Sequence, residues 1–393
     1  MNILLISHFF PPHRGGVETA SYNTMRNLAK LGHNVVVLTS KDRDIKCKVE
    51  EKNGSLIYRF KSYYPPEIKG LTQSSNLGIM PKAILKLPKI IKKHKIHLIH
   101  VEGRFFPISF ISAFLNHFIF KKPILVTAQG RLRGGITKFV ERIFDKTITR
   151  TVYQKTNKII CVSNSLKQYL LKENINERKL IVIPNGVDTD LFTRIKTSDI
   201  LDKYIETKKD CRKVIFVGRL DKQKGVEYLL KAIPKIIKEY EKSHFFILGN
   251  GILEMKLKNL VEKLDIKSYV TFLDMVPLEK MPEYYSAAEI FCLPSIHEGF
   301  PLTISEALSI GLVIVASNTE GIPDAILEGE HGFLFEPGNV SQLAEKIVMA
   351  LNLTSQEAKR ISENNTKLAK EKYSWEIIVK KLLNVYKSCF KYS

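Results

Sequence analysis

Two segments of the chain hold side chains suited to a phosphorylated, hydroxyl-rich ligand. The first is Val217-Gly218-Arg219-Leu220-Asp221-Lys222-Gln223-Lys224-Gly225. Arg219 offers a planar fork for phosphate oxygens and Lys224 a point charge. Placed in one loop between a strand and a helix, the pair can hold a diphosphate without a metal. Either cation alone would read as a solvated loop charge. The second segment is Pro294-Ser295-Ile296-His297-Glu298-Gly299-Phe300-Pro301-Leu302-Thr303-Ile304-Ser305-Glu306-Ala307. Glu298 falls in the loop after a strand. Pro301 suits the first turn of a following helix that carries Glu306 and ends near Gly311. Carboxylates accept hydrogen bonds from hydroxyls, so a sugar and a ribose suit this pair. Backbone N–H groups over Gly299, Phe300, Leu302 and Thr303 can meet an anion or sugar hydroxyls, whereas Pro301 has none. Singly, each glutamate reads as a local cap or pairing partner; the segment as a whole reads as a site.

Three lesser features accompany them. Gly15-Gly16 opens a helix directly after a strand, where a ligand can approach the backbone. This is not G-x-G-x-x-G, so a dinucleotide fingerprint is missing and a nicotinamide-dependent dehydrogenase is disfavoured. Gly249, in Leu248-Gly249-Asn250-Gly251, makes another glycine turn at a strand end. In Thr127-Ala128-Gln129-Gly130-Arg131, Gln129 can bond a sugar hydroxyl but cannot act as a general base near neutral pH. Arg131 and Arg133 follow and can meet an anion.

The elements that must position these residues read as strand, helix, strand, helix, twice over. Apolar runs lie at Asn2–Ser7, Asn34–Thr39, Ser55–Phe60, His97–Val101, Pro123–Ala128, Lys158–Ser163 and Leu180–Pro184. A second set lies at Lys213–Gly218, His244–Gly249, Tyr269–Leu273, Glu289–Leu293, Leu312–Ser317 and Gly332–Phe335. They are rich in Ile, Leu and Val and mostly unalternated, as strands buried on both faces are. The fold class is therefore α/β, with two doubly wound parallel sheets facing a cleft. The turn-rich Pro184-Asn185-Gly186-Val187-Asp188 marks the join, giving one domain over 1–188 and a second over 189–372. Tyr373 to Phe390 reads as an amphipathic helix packing back on the first domain.

This constellation resembles the retaining glycosyltransferases of family 4, which have the GT-B fold, over nearly the whole chain. Glu298 and Glu306, seven residues between them, carry the resemblance most specifically. Gly218-Arg219-Leu220 with Lys224-Gly225, the Gly15-Gly16 turn, the Pro184–Asp188 segment and Glu320-Gly321-Ile322-Pro323-Asp324 support it in order. The resemblance implies that Arg219 and Lys224 bind the donor diphosphate and stabilise the leaving nucleotide. Glu298 then touches the donor sugar, completing the catalytic set, and Glu306 bonds the ribose hydroxyls. Gly15, Gly16, Gly249, Gly299, Phe300, Leu302 and Thr303 complete the donor-binding set, and Gln129, Arg131 and Arg133 the acceptor side. Many relatives place a His where this chain has Gln129, which puts any mechanism needing imidazole there in question. The resemblance implies no metal and no resident cofactor, with a nucleotide sugar as co-substrate, a UDP-sugar by preference.

Charge bears on the acceptor. The 393 residues carry a net +21, and residues 1–196 hold 34 Lys and Arg against 13 Asp and Glu, the remainder 27 of each. A field this uneven attracts an anion: nucleic acid, a phospholipid surface or a phosphorylated substrate. Nucleic acid is disfavoured, because no recognition motif is present and Glu298 and Glu306 would be left without a role. The preferred acceptor is a growing cell-surface glycan, lipopolysaccharide or capsule, or another lipid-linked acceptor. The enzyme is then cytoplasmic, peripheral on the inner face of the membrane. A soluble glucan or small-glycoside synthase of the same fold is the alternative. Lys82 to Lys95, with Ile84, Leu85, Leu87, Ile90 and Ile91 among the lysines, resembles an interfacial helix interrupted at Pro88. Phe105 to Phe120 is too short to span a bilayer and reads either as a packed core helix or as a membrane-touching surface. The odd cysteine count of 5, without a C-x-x-C pair, fits a reducing compartment.

Overall fold

Strands with apolar side chains on both faces need helices on both faces, and the chain supplies them in alternation. The computed structural model describes all residues except 14, 42–47, 65–77, 104–105, 131–146, 148–149, 197–198, 206–209 and 391–393. It divides into two units, Met1–Asn185 with Trp375–Ser393, and Gly186–Ser374. The join falls at 185/186, slightly before the 188/189 expected from the turn residues.

The first unit holds β1 (Asn2–Ser7), β2 (Asn34–Lys41), β3 (Val49–Lys52), β4 (Ser55–Lys61), β5 (Leu98–Glu102), β6 (Ile124–Ala128), β7 (Lys158–Cys161) and β8 (Leu180–Val182). Their spatial order is β3-β4-β2-β1-β5-β6-β7-β8. Every pairing is parallel except β3 with β4. Around the sheet lie α1 (Gly16–Lys30), α2 (Pro81–Lys93), α3 (Pro107–Leu115), α4 (Arg150–Gln154) and α5 (Asn164–Lys172). The chain winds outward from β1 in one direction and then returns to place β5 on its other side. The loops after β1 and β5 therefore diverge, and the carboxyl ends of these two strands flank a crevice.

The second unit repeats the arrangement without an antiparallel edge. It contains β9 (Arg212–Val217), β10 (Ser243–Leu248), β11 (Val270–Leu273), β12 (Ile290–Leu293), β13 (Val313–Ser317) and β14 (Gly332–Phe335), in the order β11-β10-β9-β12-β13-β14. Its helices are α6 (Val226–Glu239), α7 (Glu254–Lys263), α8 (Met281–Ser286), α9 (Leu302–Ile310), α10 (Val340–Leu351) and α11 (Ser355–Leu368). Here the order reverses between β9 and β12. The last helix, α12 (Trp375–Phe390), returns to the first unit. Its Trp375, Ile378, Val379, Leu382, Val385 and Tyr386 join one core with Ile3, Leu5, Met25 and Leu28.

Three expectations are corrected. Strand β3 was not anticipated, because Val49-Glu50-Glu51-Lys52 is polar and mostly exposed. It exists because Asn53 and Gly54, at φ 51° and 70°, form the left-handed turn that suits a hairpin. Helix α2 runs through Pro88 rather than stopping there, and its Leu87, Ile90 and Ile91 are buried in the unit. Its apolar face is therefore covered by the core and is not an interfacial face; Leu85 alone of the expected apolar set is exposed. The apolar stretch Phe105 to Phe120 is not a core helix throughout: it is part core and part solvent-facing surface. Ile108, Ser109, Ser112 and Ala113 are buried, while Phe114, Phe118 and Ile119 face solvent.

Because α12 completes the core of the first unit, truncating its contact should unfold that unit preferentially. Leu382→Ala removes a side chain that is almost fully buried. The expected loss is about 2–5 kcal/mol, read by chemical denaturation. An unchanged transition would show that the helix is docked without contributing to stability.

Candidate functional site

In the second unit the candidate residues lie on loops that leave β9 and β12, the two neighbouring strands where the order reverses. After β9 the chain makes a short turn capped by Asp221, whose Oδ1 accepts the Lys224 N–H at 3.1 Å. Gly225 then adopts φ 64°, and a Cβ there would lie 2.1 Å from the Pro294 carbonyl oxygen. Only glycine allows the two loops to approach this closely. Gly249, at the end of β10, is similar: with φ 151°, its Cβ would meet the Gly218 carbonyl oxygen at 1.8 Å.

This approach brings two of the expected catalytic residues together. Lys224 Nζ lies 2.5 Å from Glu298 Oε1, and the side chains are only 15% and 7% exposed. The Ser295 hydroxyl donates to the same Glu298 oxygen at 2.8 Å. The Glu298 loop is fixed from several sides. The Ser317 hydroxyl donates to the Ser295 carbonyl. The Thr319 hydroxyl donates to the Ile296 carbonyl at 3.1 Å, and Gln223 Nε2 to the His297 carbonyl at 3.0 Å. Arg219 differs: its guanidinium is 57% exposed and pairs with Asp221 Oδ2 at 3.1 Å. A pair so exposed is weak and leaves the fork available to an incoming anion.

Helix α9 follows the Glu298 loop. Pro301 occupies its N-cap, one position before the expected first turn. Leu302 and Thr303 open the helix, where backbone N–H groups lack an intrahelical acceptor. The Thr303 hydroxyl oxygen is buried and has no hydrogen-bond partner among the described residues. The Phe300 ring, by contrast, turns inward and packs against Tyr373 with centroids 5.2 Å apart. This leaves the backbone as the part of Phe300 suited to a ligand. Gly299 lies between Glu298 and this buried ring. Farther along α9, Glu306 accepts the Tyr285 hydroxyl at 2.8 Å. Burial pushes the Glu306 carboxyl up to about 7, against the pull of the Tyr285 hydrogen bond. Burial and the neighbouring glutamate hold the Tyr285 phenol well above its ordinary value, so it remains a donor.

In the first unit, Gly15 is the N-cap of α1 and Gly16 its first residue. A Cβ on Gly15 would lie 2.2 Å from Glu18 Oε2, and His13 Nδ1 lies 2.9 Å from the other Glu18 oxygen. An anion approaching this helix start must share the space with Glu18. Gln129, just past β6, is held on both sides. Its Nε2 donates to Glu102 Oε2 at 3.1 Å, and its Oε1 accepts from Asn185 Nδ2 at 3.2 Å. Arg131 and Arg133 lie outside the described residues. Glu102 ends β5 beside β1, at the place where this sheet reverses order. It is buried, and burial pushes its carboxyl from 4.5 to about 7. His100, two residues earlier, contacts Tyr386 and Thr127, each at 2.7 Å, and burial lowers its pKa to about 3. Glu102 therefore faces an amide, a hydroxyl and a neutral imidazole rather than a cation.

Both halves of the chain match known families. The family description "Glycosyltransferase Family 4" fits residues 14–191, and "Glycosyl transferases group 1" fits residues 198–368. The chain is a glycosyltransferase, with a family 4 domain followed by a group 1 domain. This glycosyltransferase is 28% identical over 395 residues to an uncharacterised glycosyltransferase of Methanocaldococcus jannaschii, with 98% of each chain covered. It is 27% identical to a phosphatidylinositol N-acetylglucosaminyltransferase subunit of Arabidopsis thaliana, covering 100% of this chain and 83% of that one. Among solved structures it resembles HepE of Anabaena in complex with UDP, with a TM-score of 0.79, 19% identity and 99% and 100% of the two chains covered. The fold is GT-B.

Sequence reasoning singled out Lys224 and Glu298 but not their pairing, and it missed Ser295, Tyr285, Glu102 and Asn185. A polar residue ending an apolar strand run, as Glu102 does, was the available signal. The Glu102 proton affinity gives a direct test. The folded chain binds this proton more tightly than the unfolded chain, so the group lowers stability as pH rises from about 4.5 to about 7. Glu102→Gln removes that penalty. The variant should match the parent below about pH 5 and exceed it above about pH 7, by up to about 3 kcal/mol in denaturant unfolding. A stability difference independent of pH would refute the raised affinity.

Proposed function

We propose that this glycosyltransferase moves a hexose from a UDP-sugar to a lipid-linked acceptor of a growing cell-surface glycan, retaining anomeric configuration and requiring no metal. The observation that carries this reading is the Lys224–Glu298 pair at the carboxyl ends of β9 and β12, with Arg219 and Glu306 on the same two loop-and-helix segments. Ligands of doubly wound sheets bind at such reversals of strand order.

The chemistry follows from the groups present. As the bond from sugar C1 to the diphosphate oxygen breaks, the diphosphate gains charge and the sugar becomes oxocarbenium-like. Arg219 and Lys224 stabilise that developing charge more than the ground state, which lowers the barrier. The acceptor oxygen bonds to C1 on the face the diphosphate leaves, and its proton passes to the departing phosphate oxygen. No protein base is required, which accommodates Gln129 in place of an imidazole. When a diphosphate becomes the partner of Lys224, Glu298 is released to accept from a hydroxyl of the donor sugar. Glu306 accepts from the ribose.

Three observations support the finer assignments. The Anabaena structure holds UDP. The Arabidopsis relative is named for transfer of N-acetylglucosamine to phosphatidylinositol, a lipid. The first unit contains 36 Lys and Arg against 12 Asp and Glu, and the second 25 against 28, a field that suits an anionic acceptor at a membrane. No helix among the described residues is long and apolar enough to cross a membrane.

The direct test is nucleotide release from UDP-, GDP- and ADP-sugars, with and without a chelator. Release from one donor that survives chelation and falls about 10²–10³-fold in Lys224→Ala is expected, the size of an oxyanion-hole deletion. Release that stops on chelation would overturn the metal-independent reading. Glu306 adds a pH test. Ribose hydroxyls favour its carboxylate, so UDP should bind more weakly as pH falls below about 7, approaching tenfold per unit from this group. Calorimetry of Glu306→Gln against the parent isolates this effect, because the phosphate of UDP titrates equally in both. Identical pH profiles would remove Glu306 from the nucleotide site.

A further inference from the structure

Helix α3 does not end cleanly. Its last turn widens into a π-turn over Asn116–Phe120, and Lys121 then takes φ 49°. Asn116 locks this turn: its backbone carbonyl accepts the Lys121 N–H at 2.8 Å. Its side chain bonds the Lys122 carbonyl at 2.8 Å and the Lys122 N–H at 3.1 Å. The result is a fixed ridge. Phe110, Phe114 and Phe118 recur every fourth residue and touch in sequence, with centroids 6.2 Å and then 4.8 Å apart. Phe114, Phe118 and Ile119 are 44%, 57% and 61% exposed. Scattered exposed hydrophobics need no explanation, but three on one helix end and its locked turn are a patch.

Cations surround this patch. Lys155 Nζ lies 4.8 Å from the Phe118 ring centre and 5.9 Å from that of Phe114. Lys121, Lys122, Lys155 and His117 line one open pocket beside the ridge, with Asn116 and Asn157 in its wall. Apolar side chains that can enter an acyl layer, with ammonium groups at the level of phosphate headgroups, match the cross-section of a membrane interface.

We infer that the turn at 114–122, with Lys155, is the surface through which this enzyme docks on an anionic phospholipid bilayer. The inference builds on the reading that the acceptor is lipid-linked, and it assigns the docking to a ridge and not to the lysine-rich α2, whose apolar face is covered. The occupant is a bilayer and not a protein because the patch is small and rimmed by cations, and no carboxylate that would set a protein partner's register is among the described residues lining its pocket. The charge is complementary to phosphatidylglycerol or a similar lipid, and attraction falls off within a Debye length of the surface.

The experiment is co-sedimentation of the full chain with vesicles of phosphatidylcholine alone or mixed with phosphatidylglycerol, without donor or acceptor. The parent should bind the anionic vesicles, preferentially and less at high salt. Phe114→Ser/Phe118→Ser/Ile119→Ser should lower partitioning at least about tenfold. Lys121→Glu/Lys122→Glu/Lys155→Glu should abolish the preference for anionic vesicles, since each lysine at such a surface contributes about fivefold. Both variants should bind UDP as the parent does, showing that they are folded. Unchanged partitioning in both variants, equal binding to both vesicles, or no binding would overturn the inference. So would a parent dimer in gel filtration that the serine variant dissolves, because the ridge would then meet a second copy. Vesicle binding by a parent that releases nucleotide from no donor would count against the donor reading and leave this one standing.

Discussion

Lys224 and Glu298 are drawn almost entirely out of water, and the geometry of the second unit's site rests on that pair. Removing two charges from water costs several kcal/mol each, and their attraction compensates only if distance and further hydrogen bonds are favourable. The protein meets this condition with a 2.5 Å separation and a Ser295 hydroxyl on the shared oxygen. Both features require the loops after β9 and β12 to touch, which the bare Gly225 backbone against the Pro294 carbonyl permits. The pair also keeps a cation and an anion side by side. In the proposed reaction a diphosphate takes the cation and leaves the carboxylate to a sugar hydroxyl, so one exchange prepares both groups.

The first unit obeys the same topological rule with different chemistry. Its reversal of strand order lies between β1 and β5, and the buried group there is Glu102. With only an amide, a hydroxyl and a neutral imidazole around it, Glu102 holds its proton up to about pH 7. It anchors the Gln129 amide, whose other end reaches Asn185 at the close of the unit. Gln129 is therefore a positioned carboxamide, oriented by its neighbours, and not a floating substitute for an imidazole.

Much of the fold was legible because buried parallel strands must be continuous apolar runs, and continuous runs are visible in one dimension. Among the described residues, the six strands of the second unit and seven of the eight in the first were read within a residue or two at most ends. The exception, β3, is a polar edge strand held by its turn, where no burial pattern exists to be read. Amphipathic stretches were harder. The lysine-rich run over α2 and the apolar run over α3 each have a hydrophobic face, and neither sequence says what that face touches. One proved to be core, whereas the other divides between core and a solvent-facing ridge.

The sequence by itself determined the class of the protein and the two sheets, and it nominated Arg219, Lys224, Glu298 and Glu306 as candidates, because these depend on residue type and spacing along the chain. Tertiary structure alone decided the Lys224–Glu298 pairing, the retention of the Glu102 and Glu306 protons, the inward turn of Phe300, and the exposure of Phe118 and Ile119. The physical reason is common to all of them. Pairing, desolvation and exposure are set by what lies within a few ångströms, and those neighbours come from strands and helices far apart in the chain.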